Sequence, residues 1–309
     1  MTRAGMWRAA QGIAVVTVLA YVAARIAGQW GEIAALPGRI TVNWALVAAS
    51  CLVVLVSYGV LIWTWLRMVR AWGERLRARD AARIWFVSNL GRYVPGKVWQ
   101  IGAMGMMSQR AGISPVAAVG SSLVISIVNV LSGIGVAVAT GVGSLDARGF
   151  AIPAVVLMAA GVIATPWILP WATRAARRVL RREIPEPRLP ASAVWVAAVG
   201  CTTAWFLYGA AFRLLHVALL GPTGDLMRST AAFTGSYIVG FLMLFAPGGI
   251  GVREAALQNL LPRLGLAAGA DAWLVVLVSR AWLTILEIIP GLLFLARGRR
   301  AADTTPPTP

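Results

Sequence analysis

Arg92 and Lys97 bracket a Pro95-Gly96 pair in the stretch IWFVSNLGRYVPGKVWQIGAMGMM, and Arg253 follows Pro247-Gly248-Gly249 in STAAFTGSYIVGFLMLFAPGGIGVREAALQNLL. Each arrangement sets cations beside a break in an apolar segment. A helix that begins just after such a break presents free backbone N–H groups and a positive dipole end. Pro95 suits the first turn of that helix, while Gly96, Gly248, Gly249 and Gly251 let a ligand come close to the backbone. Two such termini facing each other make a ready anion site. Lys97 is the one lysine among 28 basic residues. Its ammonium fits a phosphate as a point charge; the alternative is that it merely survived a drift from lysine to arginine in a GC-rich genome.

Two acids belong to the same regions. Glu254 follows Arg253 directly, and Arg280 precedes Glu287 by seven residues on one helix face. Placing a charge at membrane depth costs about 3 kcal/mol or more, so such groups pair or line a cavity. Two roles stay open for them: a path for substrate or protons, or a buried Arg–Glu bridge that fixes helix register. Arg25 and Arg213, near segment ends, are expected to snorkel toward the interface. Cys51, Cys201 and the lone His216 supply neither a disulfide framework nor a zinc ligand set. No metal or other cofactor is expected, and the absence of a GxxxxGK[ST] loop removes ATP as a direct drive.

The elements that hold these residues follow from composition. The chain of 309 residues is 59% hydrophobic and 13% charged, with a mean hydropathy of +0.76. Soluble domains carry about a quarter charged residues, so the bilayer is the solvent here. Long runs of Ala, Leu, Val and Gly without two-residue alternation indicate helices rather than a barrel. Each run can cross roughly 30 Å of hydrocarbon at about 1.5 Å per residue. Six full spans are expected, at 13–27, 44–66, 115–140, 151–169, 191–214 and 272–296. The first could instead be a signal peptide, and an uncleaved span is preferred. The stretches 84–110 and 229–262 are read as re-entrant or broken helical hairpins, because Pro-Gly breaks forfeit helix hydrogen bonds. Residues 1–300 then form one integral membrane domain, and 301–309 a disordered Pro/Thr tail.

The net charge of +17 sits mostly in short segments between these runs. Six arginines lie from Arg67 to Arg83, six from Arg174 to Arg188, and three at Arg297, Arg299 and Arg300. With Arg3 and Arg8 they place seventeen arginines on one side, against Arg39, Arg148, Arg213, Arg228 and Arg263 on the other. The positive-inside rule puts both termini in the cytoplasm of a bacterial inner membrane. The clusters suit anionic lipid headgroups, and nothing resembles a nucleic-acid-binding module. Pro95 and Pro247 stand half a chain apart, and each is followed by an amphipathic segment, an arginine (Arg110, Arg263) and a long span. Three spans lie between the breaks, an odd number, so the second hairpin must enter from the opposite side. An inverted repeat with halves near 44–170 and 191–296 follows, an architecture that places a transport site between the halves.

GRYVPGKVW (91–99) and APGGIGVREAAL (246–257) resemble the flippase-like membrane region of lysylphosphatidylglycerol synthases, and the pattern of spans extends the resemblance over nearly the whole chain. The resemblance implies movement of aminoacylated phospholipids or related lipid-linked cargo by a region distinct from the soluble transferase. The spans leave no room for that transferase, so a stand-alone membrane region is expected. The leading expectation is a translocator, not an enzyme, for a phospholipid, aminoacyl-phospholipid or polyprenyl-phosphate-linked glycan. Arg92, Lys97 and Arg253 would hold its phosphate, and Glu254 and Glu287 would balance a cationic headgroup or carry protons. The alternative is a membrane glycosyltransferase using lipid-phosphate sugars, or its accessory membrane subunit. Its outer-loop acids, Glu32, Asp146, Asp225 and Asp271, are isolated, which disfavours a metal-dependent reaction. A glycosyltransferase or lipid-synthesis enzyme is a candidate protein partner.

Overall fold

Eight α-helices follow in chain order among the described residues: α1 (Trp44–Ala71), α2 (Ala78–Asn89), α3 (Val98–Arg110), α4 (Pro115–Gly141), α5 (Ala191–Leu220), α6 (Leu226–Leu242), α7 (Val252–Arg263) and α8 (Gly269–Asp303). Short 3-10 turns at Leu90–Tyr93 and Pro247–Gly249 stand at the two breaks. The computed structural model describes residues 41–93, 98–141, 190–243 and 247–303, with isolated positions at 27, 156, 159–161, 163, 164 and 167. The expected span 13–27 therefore falls almost wholly outside the described residues and 151–169 falls mostly outside them, while the arginine cluster 174–188, Pro95, Gly96, Lys97 and residues 304–309 lie wholly outside.

Four of the helices, α1, α4, α5 and α8, are long and apolar enough to cross a membrane. Two of them, α1 and α8, overrun the expected apolar segments into basic ends, because a helix can continue where its arginines reach past the hydrocarbon. Thus α1 runs to Ala71 and carries Arg67 and Arg70, while Arg79 and Arg83 already belong to α2. What reads as one basic loop is two helix ends and a short connection. Likewise α8 continues through Pro290 to Asp303, three residues into the expected tail.

Small and hydroxyl side chains join α1 to α5 in an antiparallel seam. The Asn43 N–H donates to the Ala218 carbonyl at 3.0 Å, Ser50 Oγ to Ala211 at 2.9 Å and Ser57 Oγ to Ala204 at 3.3 Å. Farther along, Gly200 lies against Thr64, where a Cβ would have no room. Between membrane helices such close approach and such hydrogen bonds replace the hydrophobic drive that lipid cannot supply.

This seam fixes two ends of the bundle, and the hairpins enter from opposite ones. At the C-terminal end of α1, the Ser114 N–H donates to Glu74 Oε1 at 3.1 Å and Trp65 Nε1 to the Ala118 carbonyl at 3.3 Å. The α2–α3 hairpin therefore starts and finishes at that end. At the other end, His216 Nε2 and Thr223 Oγ1 both reach the Leu266 carbonyl, at 3.2 and 3.4 Å. The α6–α7 hairpin starts and finishes there, with Asp225 capping α6 through the Arg228 N–H at 2.8 Å. Helices α3 and α7 begin at 98 and 252, and α4 and α8 at 115 and 269, the same separation of 154 in both pairs.

Candidate functional site

The Leu90–Tyr93 and Pro247–Gly249 turns, one just before the first break and the other within the second, touch inside the bundle. Local packing sets the first. A Cβ on Gly91 would fall 2.8 Å from the Gln100 backbone nitrogen, so the turn lies directly on the start of α3. Asn89 Oδ1 accepts from Gln100 Nε2 at 2.7 Å and from Arg92 Nη2 at 3.2 Å. Held this way, Arg92 Nη1 reaches across to Glu287 Oε1 at 2.8 Å and to the Tyr237 hydroxyl at 3.4 Å.

The second break is held by its own acid. Gly249 has φ +68° and rests on the Gly240 carbonyl, which a Cβ would approach to 2.8 Å. Only glycine meets both conditions at once. The Gly251 N–H, at the N-cap of α7, donates to Glu254 Oε2. That is one half of a capping box; the other half needs a side-chain oxygen that glycine lacks. From α8, Arg280 Nη1 donates to the Gly248 carbonyl at 3.1 Å, and its Nε stands 3.4 Å from Glu254 Oε1, an ion pair outside hydrogen-bond geometry. Arg280 and Glu254 together clamp the turn.

Arg253 differs from both. It is 6% exposed, and its guanidinium carbon lies 5.0 Å from the ring centres of Phe233 and Tyr237. Among the described residues it makes no hydrogen bond or ion pair, and its buried Nη2 has no acceptor. Cation–π contact offsets part of the cost of burying it, but a buried guanidinium still calls for an acceptor.

Arg92, Arg253, Arg280 and Glu287 line one cavity with Gln100, Tyr237, Gly248, Gly249 and Thr284, about 700 Å³ including its open mouth. Glu254 stands behind the turn rather than in the lining. The i, i+7 spacing of Arg280 and Glu287 suggested a pair on one helix. Instead Arg280 joins Glu254 and Glu287 joins Arg92, because seven residues climb about 10.5 Å while neighbouring elements offer closer partners. The helix-terminus reading also shifts, since Glu254 already supplies negative charge at the start of α7. Gly96 and Lys97 lie outside the described residues. Of the isolated acids, Asp225 is an N-cap and Asp271 lies in the first turn of α8. No cluster of three metal-ligating side chains occurs among the described residues.

Sequence reasoning overlooked Asn89, Gln100, Phe233 and Tyr237. The i, i+4 spacing of Phe233 and Tyr237 was a signal, because it puts two rings on one face of the helix leading into the break.

Neither the curated proteins nor the solved structures give a match to the chain. The family described as "Lysylphosphatidylglycerol synthase TM region" matches residues 10–291, which include both breaks and all four arginine and glutamate partners of the site. The chain belongs to the lysylphosphatidylglycerol synthase TM region family.

Proposed function

We propose that this multi-pass membrane protein moves a phosphate-bearing lipid between leaflets, with the phosphate docking on Arg253. The observation that carries the reading is a buried guanidinium without an acceptor in a cavity lined by two further arginines and one glutamate. A phosphodiester would give Arg253 the charge-assisted hydrogen bonds it lacks. Gln100 and Phe241 are shared between this cavity and an apolar groove lined by Ile101, Met104, Val119 and Leu123. That continuity favours an amphiphile over a free anion, the groove taking an acyl or prenyl chain.

Helices α2 and α3 have 12 and 13 residues, about 18 and 20 Å, which falls short of roughly 30 Å of hydrocarbon. On that ground the α2–α3 hairpin is read as re-entrant, and the α6–α7 hairpin, with helices of 17 and 12 residues, is read so because it starts and finishes at one end of the bundle; the breaks then lie near mid-depth, entered from opposite faces. Two such halves around a central site suit alternating access. The arginine distribution favours a cytoplasmic C-terminal end of α1 in a bacterial inner membrane, with both chain termini on that side. No bond-making step is assigned.

Purified protein in liposomes, assayed with a fluorescent phospholipid and an impermeant quencher, tests this directly. The wild type should equilibrate the lipid faster than protein-free vesicles, and Arg253→Gln should slow it on the order of tenfold to a hundredfold. Equal rates for the two proteins would remove Arg253 from the transport site.

A further inference from the structure

We infer that the site selects lipids whose headgroup carries net negative charge, and discriminates against zwitterionic and aminoacylated headgroups. The inference rests on the phosphate-lipid reading above and adds the charge class of the substrate. Among the described residues, the carboxylates that could compensate a headgroup cation are already taken. Glu287 is held by Arg92 at 2.8 Å, and Glu254 by Arg280 and the Gly251 N–H. The faces of Phe233 and Tyr237, which could otherwise receive an ammonium, are covered by Arg253. An ammonium entering the cavity would therefore meet three guanidiniums and no carboxylate outside an arginine pair among the described residues. In a low-dielectric site that juxtaposition of like charges works as discrimination, while a bare phosphodiester meets only the surplus cation.

Binding to the full chain in nanodiscs of neutral lipid tests the inference, using chain-matched phosphatidylglycerol, phosphatidylcholine and lysyl-phosphatidylglycerol, with glycerol 1-phosphate as the soluble anion. Phosphatidylglycerol should bind at least tenfold tighter than each of the other three. Arg253→Gln should abolish that preference and Arg253→Lys should keep most of it. If phosphatidylcholine or lysyl-phosphatidylglycerol binds as tightly as phosphatidylglycerol, and still depends on Arg253, charge selection is overturned while the phosphate site stands. If glycerol 1-phosphate matches phosphatidylglycerol, the site serves a soluble anion and the lipid class is wrong. If no lipid depends on Arg253, the inference and the proposed function fall together.

Discussion

Arg92 and Glu287 meet at 2.8 Å although 195 residues separate them. One stands at the first break and the other on α8, so the pair ties the first hairpin to the helix that follows the second. It also forms a wall of the cavity, which makes the tie between the first hairpin and α8 part of the site.

Removing either partner should have unequal consequences. Arg92→Ala leaves Glu287, whose side chain is 12% exposed, without that cation, a loss of about 2–3 kcal/mol for a partly buried charged hydrogen bond. Glu287→Gln leaves Arg92 with Asn89 and the Tyr237 hydroxyl and should cost about 1–2 kcal/mol. Thermal melts in detergent should rank wild type above Glu287→Gln and Glu287→Gln above Arg92→Ala. The reverse order would show that Glu287 is not held mainly by Arg92.

Arg253 should behave in the opposite way. Methionine at this position keeps a long side chain against Phe233 and Tyr237 and removes a buried charge that has no hydrogen bond. The melting temperature of Arg253→Met should equal or exceed that of the wild type, while lipid translocation falls on the order of tenfold or more. A variant that melts lower by several degrees and still transports would mark Arg253 as a structural residue.

The sequence made some of this legible and hid the rest for physical reasons. Apolar run length exposed the four long helices, since the bilayer demands about 20 apolar residues per crossing. Pro247-Gly248-Gly249 located the second break because an α-helix does not run through that triplet, and Arg92, Arg253 and Glu287 were legible as charges too costly to leave in lipid. Pairing was not legible. Whether Arg280 meets Glu287 or Glu254 depends on how α7 lies against α8, and periodicity along one helix carries no information about its neighbour. The same limit concealed the ring pair around Arg253, whose importance appears only when α6 and α7 are packed together.

The two ends fixed by the α1–α5 seam also set a labelling test. Arg75 is exposed in the connection after α1, and Pro222 is exposed between α5 and α6 at the opposite end. On a background lacking Cys51 and Cys201, Arg75→Cys should react with an impermeant maleimide only after cells are permeabilised. Pro222→Cys should react in intact cells. Labelling of both from outside would contradict the opposed hairpins, and exchange of the two results would invert the membrane orientation while keeping the repeat.

The clamp on the second break separates charge used to fold from charge used to bind. Arg280→Gln leaves the Glu254 carboxylate, 7% exposed, facing the interior without its cation, at a cost of about 3–5 kcal/mol. That is a large share of a typical native stability of about 5–15 kcal/mol, so the variant should fall several-fold in membrane abundance. Glu254→Gln keeps an amide oxygen that can still accept from the Gly251 N–H, and it removes the stranded charge. The double variant should therefore recover much of the abundance lost by Arg280→Gln alone, as read by quantitative immunoblotting of membranes. Recovered protein should also keep binding phosphatidylglycerol through Arg253, because the substitutions leave Gly249 and its contact with Gly240 in place. A double variant as depleted as Arg280→Gln would assign the clamp to the bond with the Gly248 carbonyl instead, since that is the one interaction of Arg280 that neutralising Glu254 cannot relieve.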